Sequence, residues 1–219
     1  MSHFNGFGIR GRNNKEQIGQ NTFSNMFLFF DTETNGLPES FTAPLEQIEN
    51  WPRVVQIAWM VFDHDGNKIK NKNFIIFPKD FAIPDSSIKI HGITMDRAEK
   101  EGVLIEKVLA RFNEDLTGIS TIIAHNIDFD LPTLNAEFLR NHLKTDLLEK
   151  QKFCTMKTPE IISFCKIPNP SREGSKWPTL SELHKVLFNL PFEDSHNASA
   201  DVEACARCYF EMKTRRVIE

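Results

Sequence analysis

The stretch FLFFDTETNGLP, residues Phe27 to Pro38, sets the problem this chain poses. Its apolar start is the pattern of a strand covered on both faces, yet it runs straight into Asp31 and Glu33, two carboxylates one residue apart. Residues two apart on a strand share a face, so both acids project the same way from a buried strand end. Like charges that close raise each other's pKa unless a cation lies between them, which is the logic of a metal site. A solvated turn, with Asn35-Gly36 making the bend, would account for the same letters. The rest of the chain has to decide.

Downstream, RVVQIAWMVFD and KNFIIFP bracket DHDGN, where Asp65-Gly66 is a strong hairpin signal, so three strands open a sheet. Leu104, Val108, Phe112 and Leu116 recur every four positions with Ile105 and Leu109 beside them, an amphipathic helix. STIIAHN reads as a short buried strand, followed by a helix from about Asp128 to His142 in which Pro132 is expected within the first turn. KFCTM reads as a last strand. TLSELHKVLFNL opens with Thr179 and Glu182 at capping-box spacing, and ASADVEACARCYFEMKTR closes the chain as a helix. Three strands, helix, strand, helix, strand and two helices predict an α/β domain on a mixed sheet. Residues 1–25, rich in Asn, Gly, Gln and Ser, predict a poorly ordered tail, which leaves 26–219 as the folded domain.

At 219 residues the chain suits one domain with a full core. Its 26 basic and 30 acidic residues give a net charge of −4, which argues against a broad passive phosphate-binding surface. A small site where metals supply the positive charge remains compatible. Four cysteines and no recognisable signal peptide predict reduced thiols and a cytoplasmic setting. Cys205 and Cys208 have CxxC spacing without a second ligand pair, so they read as small residues on a helix. No apolar run approaches the roughly 20 residues a membrane span needs.

On a helical wheel Asp201 leads the stripe Cys205, Cys208 and Met212, so it faces the core side, and neither Arg207 nor Lys213 shares that face. An inward carboxylate without a local partner requires a distant one. His196, five residues earlier, reaches the same place only from the loop before the helix, where a histidine is a candidate general base. His3, His64, His142 and His184 read as surface residues. In AHNIDFDLP, Asp128 and Asp130 both lie off the Leu131, Leu134 and Phe138 stripe, so wheel geometry does not separate them. Trp177, near Arg172 and Lys176, reads as a loop anchor, with base stacking or phosphate contact as the alternative.

FDTETNGLP, AHNIDFD and HNASAD, in that order, resemble the three motifs of the DEDDh, or DnaQ-like, 3′-to-5′ exonucleases. The resemblance spans about Phe27 to Met212; each motif alone is weak, and three in order at strand ends and helix starts are strong. It matches Asp31 and Glu33 to the first motif, Asp130 to the last position of the second, and His196 and Asp201 to the third. Asp128 is an extra acid the pattern does not require. What the resemblance implies is a ribonuclease-H-like mixed central sheet flanked by helices, with the first motif on the middle strand. It also implies two Mg²⁺ or Mn²⁺ ions held by Asp31, Glu33, Asp130 and Asp201, and His196 as the base for an attacking water. The expected activity is removal of nucleoside 5′-monophosphates from a nucleic acid 3′ end, taken as single-stranded DNA, with association to a polymerase possible in this group. Leu37 and Ile93 become candidate contacts to the terminal base. An exoribonuclease keeps the chemistry and changes the sugar; a non-catalytic polymerase-associated binding subunit keeps only the fold.

Overall fold

The computed structural model describes residues 26–190, 192 and 197–219; the tail expected at 1–25 lies outside the described residues. Among the described residues there are five strands: β1 (Met26–Thr34), β2 (Val54–Phe62), β3 (Lys68–Ile75), β4 (Ile119–Ala124) and β5 (Gln151–Cys154). The helices are α1 (Asp85–His91), α2 (Met95–Glu101), α3 (Ile105–Leu116), α4 (Ile127–Arg140), α5 (Pro159–Cys165), α6 (Leu180–Phe188) and α7 (Ala198–Thr214). The strands form one mixed sheet in the order β3-β2-β1-β4-β5, so the acid-bearing strand is the middle one. The architecture is the α/β mixed central sheet with flanking helices that the motifs imply.

The run Phe27–Phe30 is apolar throughout because β1 is covered twice. Leu28 and Phe30 join Trp59, Phe112 and Leu134 in a core beneath α3 and α4. Phe27 and Phe29 turn the other way and pack with Met60, Cys205 and Tyr209 beneath α7. Phe29 meets Phe62 and Tyr209 edge-on, with ring centres 5.4 Å away in each case. Each such buried ring contributes roughly 1.5–3 kcal/mol relative to exposure. At the exposed edge, β3 reads KIKNKNFI, and its lysines discourage pairing with a second sheet.

The hairpin, the α3 and α4 helices and the α6 capping box stand where the sequence puts them; Thr179 accepts from the Glu182 N–H while the Glu182 carboxylate accepts from the Thr179 N–H. Three short helices, α1, α2 and α5, do not belong to the expected order. Each has seven residues, too few for a helical period to stand out, and caps carry the signal instead. Thr94 accepts from the Arg97 N–H, and Gly92 closes α1 at φ 72°. Pro132 is not in the first turn of α4: the helix begins at Ile127, so the proline's missing N–H leaves the Asp128 carbonyl without its usual intrahelical donor. His184 is not a surface residue either. It is buried, its ring 4.7 Å from that of Phe188, with Nδ1 3.2 Å from the Leu190 carbonyl. No described helix is long and apolar enough to cross a membrane.

Candidate active site

The β1–β4 register ends at Phe29–Ile123, whereas β1 continues to Thr34. The last residues of β1 therefore project beyond β4, with their ladder groups on that side open to other partners. Strand alternation then sorts three consecutive side chains. Asp31 and Glu33 share the Phe27/Phe29 side, toward α7; Thr32 shares the Leu28/Phe30 side, toward α4.

Each side meets an acid. From α7, Asp201 brings its carboxylate to Asp31 and Glu33, and one ligand oxygen from each of the three lies within 4.8 Å of the others. From the first turn of α4, Asp130 reaches back to β1: its Oδ1 accepts from the Thr32 N–H at 3.0 Å and from the Thr32 hydroxyl at 2.7 Å. Asp130 is 2% exposed and lines the same cleft as the other three acids, a cavity of about 550 Å³. The two acids that the helical wheel left unresolved are thus separated by the fold. Asp128 points outward and pairs with the Lys157 ammonium at 2.7 Å.

The electrostatics follow from this crowding. Loss of hydration, and then the charges of Asp130, Asp201 and Glu33, hold the Asp31 carboxyl well above the usual carboxylate range. Glu33 is pushed up to about 8 by burial and by Asp201 and Asp130. Burial raises Asp130 to about 7 although both Thr32 hydrogen bonds pull the other way. Hard oxygen donors, mutually repelling and preorganised on a strand end and two helices, are the donor set a divalent cation of the Mg²⁺ type prefers.

The remaining expected residues fall in different places. Leu37 is 75% exposed just past the strand, and the Thr34 hydroxyl donates to the Gly36 carbonyl to hold that turn. Ile93 is buried with Val55, Ile83 and Ala98 in a small satellite core, so its side chain packs rather than presenting itself to a base. His196 lies outside the described residues. Trp177, in the loop before α6, is 53% exposed, with the Lys157 ammonium 4.9 Å from the centre of its ring.

The cleft also uses residues that sequence reasoning passed over. His125 lines it at the end of β4, with Nδ1 3.0 Å from the Thr155 hydroxyl, and burial lowers its pKa to about 4. Phe129 forms part of the wall. Both sit inside the second motif, which was the available signal. Met156 and Leu180 line the cleft from segments with no local mark of function.

Residues 28–209 match the RNase_T family, described as exonuclease. The DNA polymerase III subunit epsilon of Treponema pallidum is 28% identical over 188 residues, covering 85% of this chain and 75% of that protein. The PolC-type DNA polymerase III of Lactococcus lactis is 28% identical over 199 residues, covering 88% of this chain and 10% of that protein. Among solved structures, E. coli exonuclease I in complex with a dA16 oligonucleotide superposes with a TM-score of 0.70 at 23% identity, over 88% of this chain and 42% of that one. This last likeness is one of fold. The chain spans about a tenth of the PolC-type polymerase and less than half of exonuclease I.

Proposed function

This chain belongs to the RNase_T exonuclease family, and from that premise we propose that it is a metal-dependent 3′-to-5′ exonuclease acting on single-stranded DNA ends. The products are nucleoside 5′-monophosphates. The observation that carries the reading is the meeting of Asp31, Glu33 and Asp201 within 4.8 Å, with Asp130 in the same cleft.

Asp31, Glu33, Asp130 and Asp201 would hold the ions, two Mg²⁺ or Mn²⁺; these supply a water of lowered pKa and stabilise the charge on the leaving 3′ oxygen. The fit is electrostatic as well as chemical. Carboxylates whose pKa values are raised by one another need neighbouring positive charge before all can ionise near neutral pH. The Thr32 N–H and hydroxyl fix one oxygen of Asp130, which orients the other. His196 accepts the proton of the attacking water. Leu37, exposed on a hydrogen-bonded turn at the exit of β1, packs against the terminal base.

The choice of DNA rests on the relatives, which are named as DNA polymerase components, and on the oligonucleotide bound to exonuclease I. The same names make a polymerase the protein partner to look for. The test is Mg²⁺-dependent digestion of a 5′-labelled single strand. A descending ladder with release of nucleoside 5′-monophosphate is expected. Internal cuts, or no cleavage of DNA or RNA, would remove the reading.

A further inference from the structure

A second groove, of about 660 Å³, adjoins the acidic cleft, and Asn126 and Met156 line both. One wall comes from the loop after β1 and carries Phe41; the other comes from the segments after β5 and carries Lys157 and Trp177. Isolated exposed aromatics are ordinary on a protein surface. Here two of them, Phe41 at 57% and Trp177 at 53% exposure, line one groove.

Three further facts point to a strand of nucleic acid as the occupant. Phe129, in the wall of the acidic cleft, lies with its ring 6.5 Å from that of Phe41, so aromatic surface continues from one cavity into the other. The Lys157 ammonium sits 4.9 Å from the centre of the Trp177 ring, which brings a cation beside a stacking surface. Phe41 is also held in place. Ser40, its neighbour, accepts from Asn50 Nδ2 at 2.9 Å and donates its N–H to Asn50 Oδ1 at 2.8 Å, clasping the loop. Rigid aromatic platforms beside a cation that can meet phosphate are how single strands are bound without sequence readout.

We propose that this groove is the track for the single strand upstream of the residue being removed, with Trp177 and Phe41 stacking its bases and Lys157 meeting a phosphate. The proposal rests on the exonuclease reading and extends it. Asp128, the acid outside the motif pattern, then has a part: its ion pair holds Lys157 over Trp177 until a phosphate competes for it. Base stacking and a phosphate contact do not depend on the sugar, so DNA and RNA strands of equal length are expected to use the groove alike.

Tryptophan emission gives a direct readout. Of the three tryptophans, Trp51 and Trp59 are 3% and 0% exposed, which leaves Trp177 as the one accessible to a base. The full chain is titrated with an octathymidylate and with a dinucleotide, both carrying a 3′-terminal phosphorothioate linkage, in Ca²⁺ to slow turnover, and the series is repeated with octauridylate. The octamers are expected to quench the emission saturably and W177F to remove that quenching. W177A is expected to lower the octamer-over-dinucleotide affinity ratio about tenfold, with an unchanged melting temperature as the control for folding. Lys157→Ala is expected to flatten the salt dependence of octamer binding by about 0.7 in log–log slope, the signature of one lost phosphate contact on a single strand. Octamer binding seen by anisotropy without quenching, or an affinity ratio unchanged in W177A, would overturn the groove while leaving the nuclease intact. Failure of wild type to bind or cut any strand in Mg²⁺ would overturn the exonuclease reading itself.

Discussion

Thr32 donates both its backbone N–H and its hydroxyl to the same oxygen of Asp130, 98 residues further along the chain. The threonine stands between the two β1 acids, on the opposite side of the strand, so one strand end organises carboxylates from both sides of the sheet. Thr32→Val keeps the β-branched shape and removes one donor. Magnesium affinity is expected to fall about tenfold, as for loss of a group that orients a ligand. Because the hydroxyl helps to hold the Asp130 pKa down to about 7, its loss also moves the pH at which Mg²⁺ binds upward. Calorimetry at several pH values checks both.

Asp31→Asn separates catalysis from stability. Activity is expected to drop at least about a hundredfold, whereas the metal-free protein should melt higher near neutral pH, since the amide removes a carboxyl that burial and its acidic neighbours hold protonated at a cost to the fold. Asp201→Asn should show the same loss of activity. A variant of either kind with turnover close to wild type would defeat the site assignment.

The acidic cluster also sets a pH dependence. Glu33 and Asp130 hold their protons up to about 8 and 7, above the ordinary 4.5 and 3.8, so between about pH 4 and 8 the folded chain binds more protons than the unfolded one. Their contribution to metal-free stability therefore falls as pH rises through that window. His125 acts in the other direction, since its pKa of about 4 means that acidification below its ordinary 6.5 favours the unfolded chain. The gain in melting temperature on adding Mg²⁺ isolates the carboxylates: small near pH 5, it should grow toward pH 8. A gain independent of pH would contradict the arrangement.

Glu137, 1% exposed on α4, accepts from Arg53 Nε at 2.8 Å, Arg140 at 3.0 Å and the Val54 N–H at 3.2 Å. Arg140 in turn donates to the Ile48 and Trp51 carbonyls, so this carboxylate ties α4 to the loop that carries Leu37 and Phe41. Glu137→Ala leaves two guanidinium groups without their shared partner. A loss of about 3 kcal/mol is expected from urea unfolding.

His196→Ala should lower the rate about 10²-fold or more, the size of a general-base contribution, with Mg²⁺ affinity nearly unchanged. Calorimetry showing lost metal binding instead would recast His196 as a ligand.

Local pattern alone determined much of this protein. The double-sided apolar run fixes β1 as a central strand, because only a strand covered on both faces is apolar at every position. The hairpin at Asp65-Gly66, the four-residue spacing in α3 and the Thr179/Glu182 box are likewise short-range chemistry, and they stand where the sequence put them. Seven-residue helices escaped because they make only about two turns, fewer than the roughly 11 residues over which a helical pattern stands out.

Tertiary structure decided what depends on distance through space. Asp128 and Asp130 are indistinguishable on a wheel, yet Asp130 faces the overhanging end of β1 and Asp128 faces Lys157. His184 carries no local sign of burial, and only the packing of α6 places it inside. Trp177 and Phe41, 136 positions apart in the chain, come to line one groove. A strand's residue pattern records which of its faces are covered. What covers them, and which distant carboxylate or ring arrives there, is set by how the chain closes on itself.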